Sequence, residues 1–160
     1  MVKLFIGLIS IVICTVVGKS ITDKYCHKKL YFEYFKDFNQ KLKQNLTYKR
    51  ESMIKMLDFD CKNEYLNDTL KSFKTYLFYG KNVDDIYFPP FLEDEEIKIF
   101  KDYFETIGKN SAVSELEFIK YFDDKLNEKL LKIRDKNNKF STLGQKIGFS
   151  VGLAVCILIL

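Results

Sequence analysis

The stretch IKYFDDKLNEKLLKI, at residues 119–133, has an apolar residue at every third or fourth position. Residues with this spacing share one face of an α-helix, and the charged residues between them occupy the opposite face. The apolar stripe consists of Ile119, Phe122, Leu126, Leu130 and Ile133. It predicts a long amphipathic helix that packs on other helices.

Three shorter stripes with the same period precede it. They are Tyr31, Phe35, Phe38, Leu42 and Leu46, then Leu66, Leu70, Phe73 and Leu77, then Ile97, Phe100, Phe104 and Ile107. Strand-like alternation is hard to find. We therefore expect an all-α fold, an antiparallel helical bundle, with helices near residues 20–47, 50–58, 63–79, 94–107 and 114–140. A break near residues 141–142 could separate the last helix from the C-terminal segment.

Capping residues predict where these helices begin and end. Gly80 and Gly108 are typical of helix C-termini, and Asp94 can cap the start of the helix near 94–107. Ser114 and Glu117 have the spacing of a capping box that would open the long helix. The pair Pro89-Pro90 predicts a connection that is not helical.

Both ends of the chain are apolar. LFIGLISIVICTVV (residues 4–17) and IGFSVGLAVCILIL (residues 147–160) each contain fourteen residues without a charge. A helix of that length is about 21 Å long, against a hydrocarbon core of roughly 30 Å, and the long stems of Lys19 and Lys146 can extend each segment. We expect two membrane anchors, at residues 1–22 and 142–160, that flank a bundle at residues 23–141.

Other interpretations of the ends remain open. The N-terminal segment resembles a signal peptide, but no good cleavage site follows it, and the polar stretch before the C-terminal segment is short for a lipid-anchor signal. The Asn-x-Thr sequons at Asn45 and Asn67 suit a secreted protein. The alternative function is therefore a secreted or GPI-anchored surface protein of an AT-rich organism, whose genome would explain the many Lys and Asn residues.

Lysines beside the two apolar segments predict the orientation of the bundle. Five cations follow the first segment and six precede the second, namely Lys19, Lys24, Lys28, Lys29 and Lys36, and Lys129, Lys132, Arg134, Lys136, Lys139 and Lys146. Because positive flanks stay in the cytosol, we expect the bundle to be cytosolic.

Small residues recur on one face of each apolar segment. They are Gly7, Ser10, Cys14 and Gly18 in the first, and Gly144, Gly148, Gly152 and Cys156 in the second. Small residues let helices approach closely in lipid, so these stripes predict that the segments pack on each other or on partner helices. The alternative explanation is that small residues such as glycine are common in membrane helices in general.

The composition offers little material for catalysis or for nucleic-acid binding. The 160 residues have a net charge of +4 and contain one histidine. Cys26, His27 and Cys61 lack the spacing of a metal site, so we expect no enzyme activity, no cofactor and no nucleic-acid partner. The acidic pairs at residues 84–85 and 123–124 are interpreted as solvated.

Two further segments have alternative interpretations. The run Glu93–Glu96 could dock a basic partner, although a helix start explains its charges. The apolar segment Ile86–Leu92, with Phe88 and Phe91, is either a docking surface or a segment that folds over the bundle.

Two stretches resemble the stage III sporulation protein AB family of endospore-forming bacteria. They are YFETIGKNS (residues 103–111) and LGQKIGFSVGL (residues 143–153), which are similar in order and spacing to the family's motifs. Glu105, Thr106 and Gly108 match the family pattern, whereas Phe104 replaces its glycine and Ser111 its aspartate.

The resemblance implies a non-enzymatic membrane component of the channel complex between mother cell and forespore, which late forespore gene expression requires. It implies a fold similar to the inner-membrane platform protein of type II secretion and type IV pilus systems. The implied partners are a cytosolic ATPase, the AA component, and sibling stage III membrane proteins, in the mother-cell membrane around the forespore. Candidate partner-contact residues are Glu105, Thr106, Gly108, Phe88 and Phe91. Self-association remains open.

Overall fold

The computed structural model describes the backbone of residues 2–49, 53–57, 61–80, 82–107 and 112–159. Within these ranges it describes every side chain except those of residues 2–5, 8, 49, 112, 113, 141–145 and 159. All regular elements in the described residues are helical, which confirms the all-α prediction. The elements are α1 (Val2–Gln44), a π-helical turn (Asn45–Lys49), α2 (Met53–Leu57), α3 (Glu64–Tyr79), a 3₁₀ turn (Val83–Asp85), α4 (Asp94–Thr106) and α5 (Ala112–Ile159).

Helices α1 and α5 are longer than the sequence predicts. Helix α1 begins at Val2, so the helix expected near 20–47 is continuous with the N-terminal apolar segment. The break considered near residues 141–142 is absent, because α5 runs unbroken to Ile159. Serine and threonine at those positions keep the backbone N–H that a helix needs and have only modestly unfavourable helix propensity.

Two capping predictions need correction. Helix α5 begins at Ala112, so Ser114 lies inside its first turn and does not open it. The residue that caps α4 is Glu93 rather than Asp94, and the carboxylate of Glu96 accepts a hydrogen bond of 2.9 Å from the Glu93 backbone N–H. The end of α3 is as predicted, since Gly80 has φ 62° and donates to the Tyr76 carbonyl. Gly108 lies outside the described residues.

The chain divides into two compact units. One, the terminal unit, comprises Met1–Lys29 and Leu131–Leu160, and the other, the central unit, comprises Leu30–Leu130. The central unit contains α2, α3 and α4 together with the adjoining halves of α1 and α5. The three-part division at residues 22 and 141 stays a prediction.

The core of the central unit is a cluster of aromatic rings around Phe35, which is fully buried. The ring of Phe35 lies 4.7 Å from Phe100, 5.3 Å from Tyr103, 5.8 Å from Phe104 and 5.9 Å from Phe122, measured between centroids. Most of these pairs have the steep interplanar angles that aromatic quadrupoles favour. The cluster joins α1, α4 and α5, and every residue of the stripe at 119–133 is buried as predicted.

Two buried tyrosines connect the helices by polar contacts. The Tyr103 hydroxyl donates to Asn39 Oδ1 at 2.8 Å, and Asn39 Nδ2 donates to the Ile119 carbonyl at 3.3 Å. The Tyr31 hydroxyl donates to Thr69 Oγ1 at 3.2 Å. Burial raises the pKa of both phenols well above its ordinary value, so both stay neutral donors at physiological pH.

Removing the central ring should destabilise the central unit strongly. We expect Phe35→Ala to lower the free energy of unfolding by about 3–5 kcal/mol, because a fully buried phenyl ring leaves a cavity that its neighbours fill only in part. The measurement is denaturant unfolding of the full chain in detergent micelles, followed by the reactivity of the buried thiol of Cys61.

Phe78→Ala is the matched control, since the Phe78 side chain is 57% exposed. It should change stability by no more than about 0.5 kcal/mol. Equal losses in the two variants would contradict the assignment of Phe35 to the core.

Candidate functional site

In the terminal unit, α1 and α5 approach each other closely at small residues. A methyl group built on Gly148 would lie 2.6 Å from the Cys14 carbonyl oxygen, and one on Gly152 would lie 2.7 Å from Ile11 Cα. One on Gly7 would lie 2.5 Å from Cys156 Sγ. Residues 7, 11 and 14 of α1 thus contact residues 156, 152 and 148 of α5, in that order. Because the residue numbers rise along one helix and fall along the other, these parts of the two helices are antiparallel.

The structure therefore brings most of the predicted small residues together. Gly7, Gly18 and Gly152 are buried, whereas Ser10, Cys14 and Gly148 are half-buried. Gly144 lies on α5, but its surroundings are outside the described part of the chain. Close approach at glycines gains dispersion contacts between backbones.

Polar and aromatic contacts join the same two helices farther along. The Thr22 hydroxyl lies 3.1 Å from the Gly18 carbonyl and 3.2 Å from the Phe140 carbonyl. The rings of Tyr25 and Phe140 stack with 4.6 Å between centroids and 2° between planes. These contacts lie where the apolar part of each helix gives way to lysine-rich sequence.

The outer surface of the two apolar segments of the terminal unit is apolar. Many large apolar side chains are roughly half exposed, among them Ile9, Val12, Ile13, Val16 and Val17 on α1, and Ile147, Phe149, Val151 and Ile157 on α5. An apolar groove of about 310 Å³ runs between the helices. Within the described residues, no helix has an apolar stretch of sufficient length to cross a membrane.

In the central unit, the segment at residues 86–92 folds over the bundle, which is one of the two alternatives for it. Phe91 is 7% exposed, with its ring 5.0 Å from Tyr65 and 5.9 Å from Tyr31. Phe88 is half-buried and stacks on Phe100 at 6.3 Å. The interpretation of Phe91 as a partner-contact residue is corrected, because its ring is part of the core.

The residues from the motif at 103–111 occupy different environments. Glu105 is exposed on α4, and Thr106 is half-buried with its hydroxyl donating to the Asp102 carbonyl at 2.8 Å. Gly108 is outside the described residues. A partner contact at Glu105 stays a prediction, and its exposed carboxylate suits one.

The acidic run at residues 93–96 belongs mainly to the start of α4. Glu96 is 3% exposed and Glu93 caps the helix. Glu95 is exposed, and its carboxylate lies 4.0 Å from Lys129 Nζ. Of the two interpretations of this acidic run, the start of a helix therefore accounts for its charges.

The cysteines and the histidine are not grouped. Cys26 and His27 are exposed on α1, whereas Cys61 is buried in the central unit. No group of three or more potential metal ligands occurs among the described residues.

The side chains of both sequon asparagines are part of the folded structure, one by burial and the other by hydrogen bonds. Asn45 is 3% exposed. Asn67 donates from Nδ2 to the Cys61 carbonyl at 2.7 Å and accepts from the Cys61 N–H at 3.3 Å. A glycan on either amide would disrupt these arrangements, which disfavours the secreted, glycosylated alternative.

A polar groove in the central unit is a feature that the sequence did not reveal. It has a volume of about 520 Å³ and lies beside the π-helical turn, lined by Gln40, Lys43, Gln44, Thr47, Tyr48, Leu116, Lys120 and Asp123. Asp123 Oδ1 is buried there without a hydrogen-bond partner, so the interpretation of Asp123 as solvated is wrong. The π turn changes which residues share a face, and no sequence pattern indicates such a turn.

The comparisons with known proteins found one family. The model for stage III sporulation protein AB matches residues 3–160, which is nearly the whole chain. No curated protein and no solved structure matches.

Enlarging Gly148 should separate α1 from α5. In a chain whose only thiols are Cys156 and Gly7→Cys, we expect rapid oxidation to an intramolecular disulfide, because a Cβ at residue 7 would lie 3.5 Å from Cys156 Cβ. Gly148→Ile should lower the yield, since its side chain would collide with the Cys14 carbonyl. The yield is measured as the loss of alkylatable thiols by mass spectrometry.

Ser150→Ile is the control on the same helix, since Ser150 is exposed. It should leave the disulfide yield unchanged. A high yield with Gly148→Ile would contradict the close backbone contact.

Proposed function

As a member of the stage III sporulation protein AB family, the chain has a role in stage III of sporulation, and we propose that it acts there as a non-enzymatic membrane scaffold. The family match over residues 3–160 carries the proposal. The scaffold belongs to the channel complex between mother cell and forespore, which sustains late forespore gene expression.

Both ends of the chain anchor the scaffold in the membrane. The half-exposed aliphatic side chains of the terminal unit support this, because so much exposed apolar surface is unfavourable in water. The close contacts at Gly7, Gly148 and Gly152 support a helical hairpin within the lipid, where small residues replace the hydrophobic effect as the basis of association.

In this proposal the two anchors lie in the mother-cell membrane around the forespore, and the central unit lies in the mother-cell cytosol. Exposed cations next to both apolar segments support this orientation, because positively charged flanks are retained on the cytosolic side. A cytosolic location also suits Cys26 and Cys61, which form no disulfide among the described residues and would remain reduced there.

The central unit is the part of the scaffold that contacts a cytosolic ATPase of the secretion type, the AA component, and other stage III membrane proteins. Its fold in this proposal corresponds to the platform domain of type II secretion systems. Glu105 supports the choice of α4 as a contact surface, because its carboxylate is exposed within the motif that matches the family.

The orientation predicts a thiol-labelling pattern. In a chain that retains only Cys26, an impermeant maleimide should label intact bacterial cells only after the membrane is opened. Leu158→Cys in a cysteine-free chain should be labelled without permeabilisation, since residue 158 lies at the far end of the second apolar segment and therefore at the opposite membrane face in this topology. Cys61 is a poor reporter because it is buried.

Labelling of Cys26 in intact cells would place the central unit outside and overturn the orientation. Protection of both positions in intact cells, with labelling of both after opening, would overturn the hairpin of two spans.

A charge reversal at Glu105 tests the ATPase contact. We expect Glu105→Arg to lower the amount of ATPase that copurifies with the chain from sporulating cells by about tenfold, as loss of a charged contact at an interface does. The measurement is quantitative mass spectrometry of the purified complex. Phe91→Ala is unsuitable as a probe, because it would leave a cavity in the core.

Asp68→Arg is the matched control, since Asp68 is an exposed acidic residue on α3 with a 3.8 Å contact to Lys71. It should leave ATPase recovery unchanged. Equal recovery with Glu105→Arg and with the unmodified chain would exclude this part of α4 as the contact.

A further inference from the structure

Charge is distributed very unequally between the two units. The residues of the terminal unit include ten lysines and arginines but only two acidic residues, Asp23 and Asp135. Those of the central unit include sixteen basic and twenty acidic residues. The modest net charge of the whole chain therefore conceals a strongly basic unit.

The cations of the terminal unit are concentrated beside its apolar surface. We use the name basic collar for Lys19, Lys24, Lys29, Lys132, Arg134, Lys136, Lys139 and Lys146, all of which are at least partly exposed. On α1 they follow the exposed Val16 and Val17, and on α5 most of them precede the exposed Ile147. The Thr22–Phe140 and Tyr25–Phe140 contacts bring these two sections of helix side by side.

The lysines of α5 form an ordered stripe. Lys132, Lys136, Lys139 and Lys146 are separated by four, three and seven residues, so that they share one face of the helix. All four are exposed. Asp135 is the one acidic residue between Leu131 and Leu160, and Glu128 lies one helical turn before Lys132 on the same face.

We propose that the basic collar binds the anionic headgroups of phospholipids in the leaflet that surrounds the terminal unit. The inference rests on the membrane anchoring proposed above. Headgroup phosphates lie at the depth where an embedded apolar helix meets water, which is the level at which the collar begins on each helix, at Lys19 on α1 and at Lys146 on α5. Stacked Tyr25 and Phe140 at the same level are typical of the aromatic residues that prefer this interface.

The composition of the collar favours a lipid surface over a protein or nucleic-acid partner. Seven of its eight cations are lysines, which act as point charges on flexible stems and need no fixed acceptor geometry. Their aliphatic stems can lie along the apolar helices while the ammonium groups reach the phosphates. Clusters of four to eight such cations beside a membrane helix attract anionic lipids.

The test measures which lipids the full chain retains. The chain is extracted with mild detergent from membranes of mixed phosphatidylcholine and phosphatidylglycerol, and the retained lipids are quantified. We expect phosphatidylglycerol to be enriched several-fold over its proportion in the membrane. High salt during purification should reduce the enrichment, because the attraction is electrostatic.

Two variants that lose the same number of positive charges show whether lipid binding depends on the collar itself or only on the net charge of the chain. Replacement of Lys132, Lys136, Lys139 and Lys146 by Gln should remove the enrichment, whereas replacement by Arg should preserve it. Replacement of Lys41, Lys62, Lys71 and Lys98 by Gln, four exposed lysines of the central unit, should also preserve it.

Unchanged enrichment of phosphatidylglycerol in the collar Gln variant, or no enrichment in the unmodified chain, would overturn the proposal. A protein partner would then be the alternative ligand of the collar. Extraction with alkaline carbonate tests anchoring separately. A chain that resists carbonate but retains no anionic lipid is anchored without the headgroup contacts. A chain that carbonate releases from the membrane lacks the anchors themselves.

Discussion

The close approach of α1 and α5 at Gly148 is the constraint on which the terminal unit depends. A side chain at this position would meet the Cys14 carbonyl oxygen, which cannot move without displacing α1. The same two helices are also antiparallel in the central unit, where Asn39 bonds the Ile119 carbonyl and Phe35 packs on Phe122. One pair of helices thus contributes to the core of both units, with glycines in one and with aromatic rings in the other.

The two modes of contact suit two different surroundings. In the central unit, large rings such as Phe35 and Phe100 gain stability by leaving water, so the size of the buried side chain matters. In the terminal unit, large aliphatic side chains face outward and the smallest residues face the partner helix. That inversion is expected where the surrounding medium is itself apolar and association depends on close packing.

Sequence periodicity predicted most of the central core, because burial of one helix face imposes a period that the residues must follow. Phe35, Phe73, Phe104 and Ile119 are all fully buried members of predicted stripes. The ends of helices were less predictable. The sequence indicated Asp94 as the cap of α4, whereas the N-cap is Glu93, whose backbone N–H donates to the side-chain carboxylate of Glu96. Ser114 has the right spacing for a cap, yet the helix begins earlier.

The features that the sequence did not predict depend on tertiary contacts. The apolar segment near Phe91 has no helical period, and its inward position depends on tertiary contacts such as those of Phe91 with the rings of Tyr31 and Tyr65. The groove beside the π-helical turn depends on a change in helix geometry that local composition does not encode. Asp123 lines this groove and is half-buried, although its charge and its neighbours suggested an exposed position.

The distribution of charge shows why whole-chain composition was a weak guide to function. A net charge of +4 over 160 residues argues for no particular partner. Division at the boundaries of the two units changes this, because the terminal unit, which has the exposed apolar surface, then has a net charge of +8 and the central unit one of −4. The lysines that would orient a membrane segment in the proposed topology are the same ones that the second proposal brings within reach of lipid phosphates. In these proposals, orientation and headgroup binding are two consequences of one arrangement of charge.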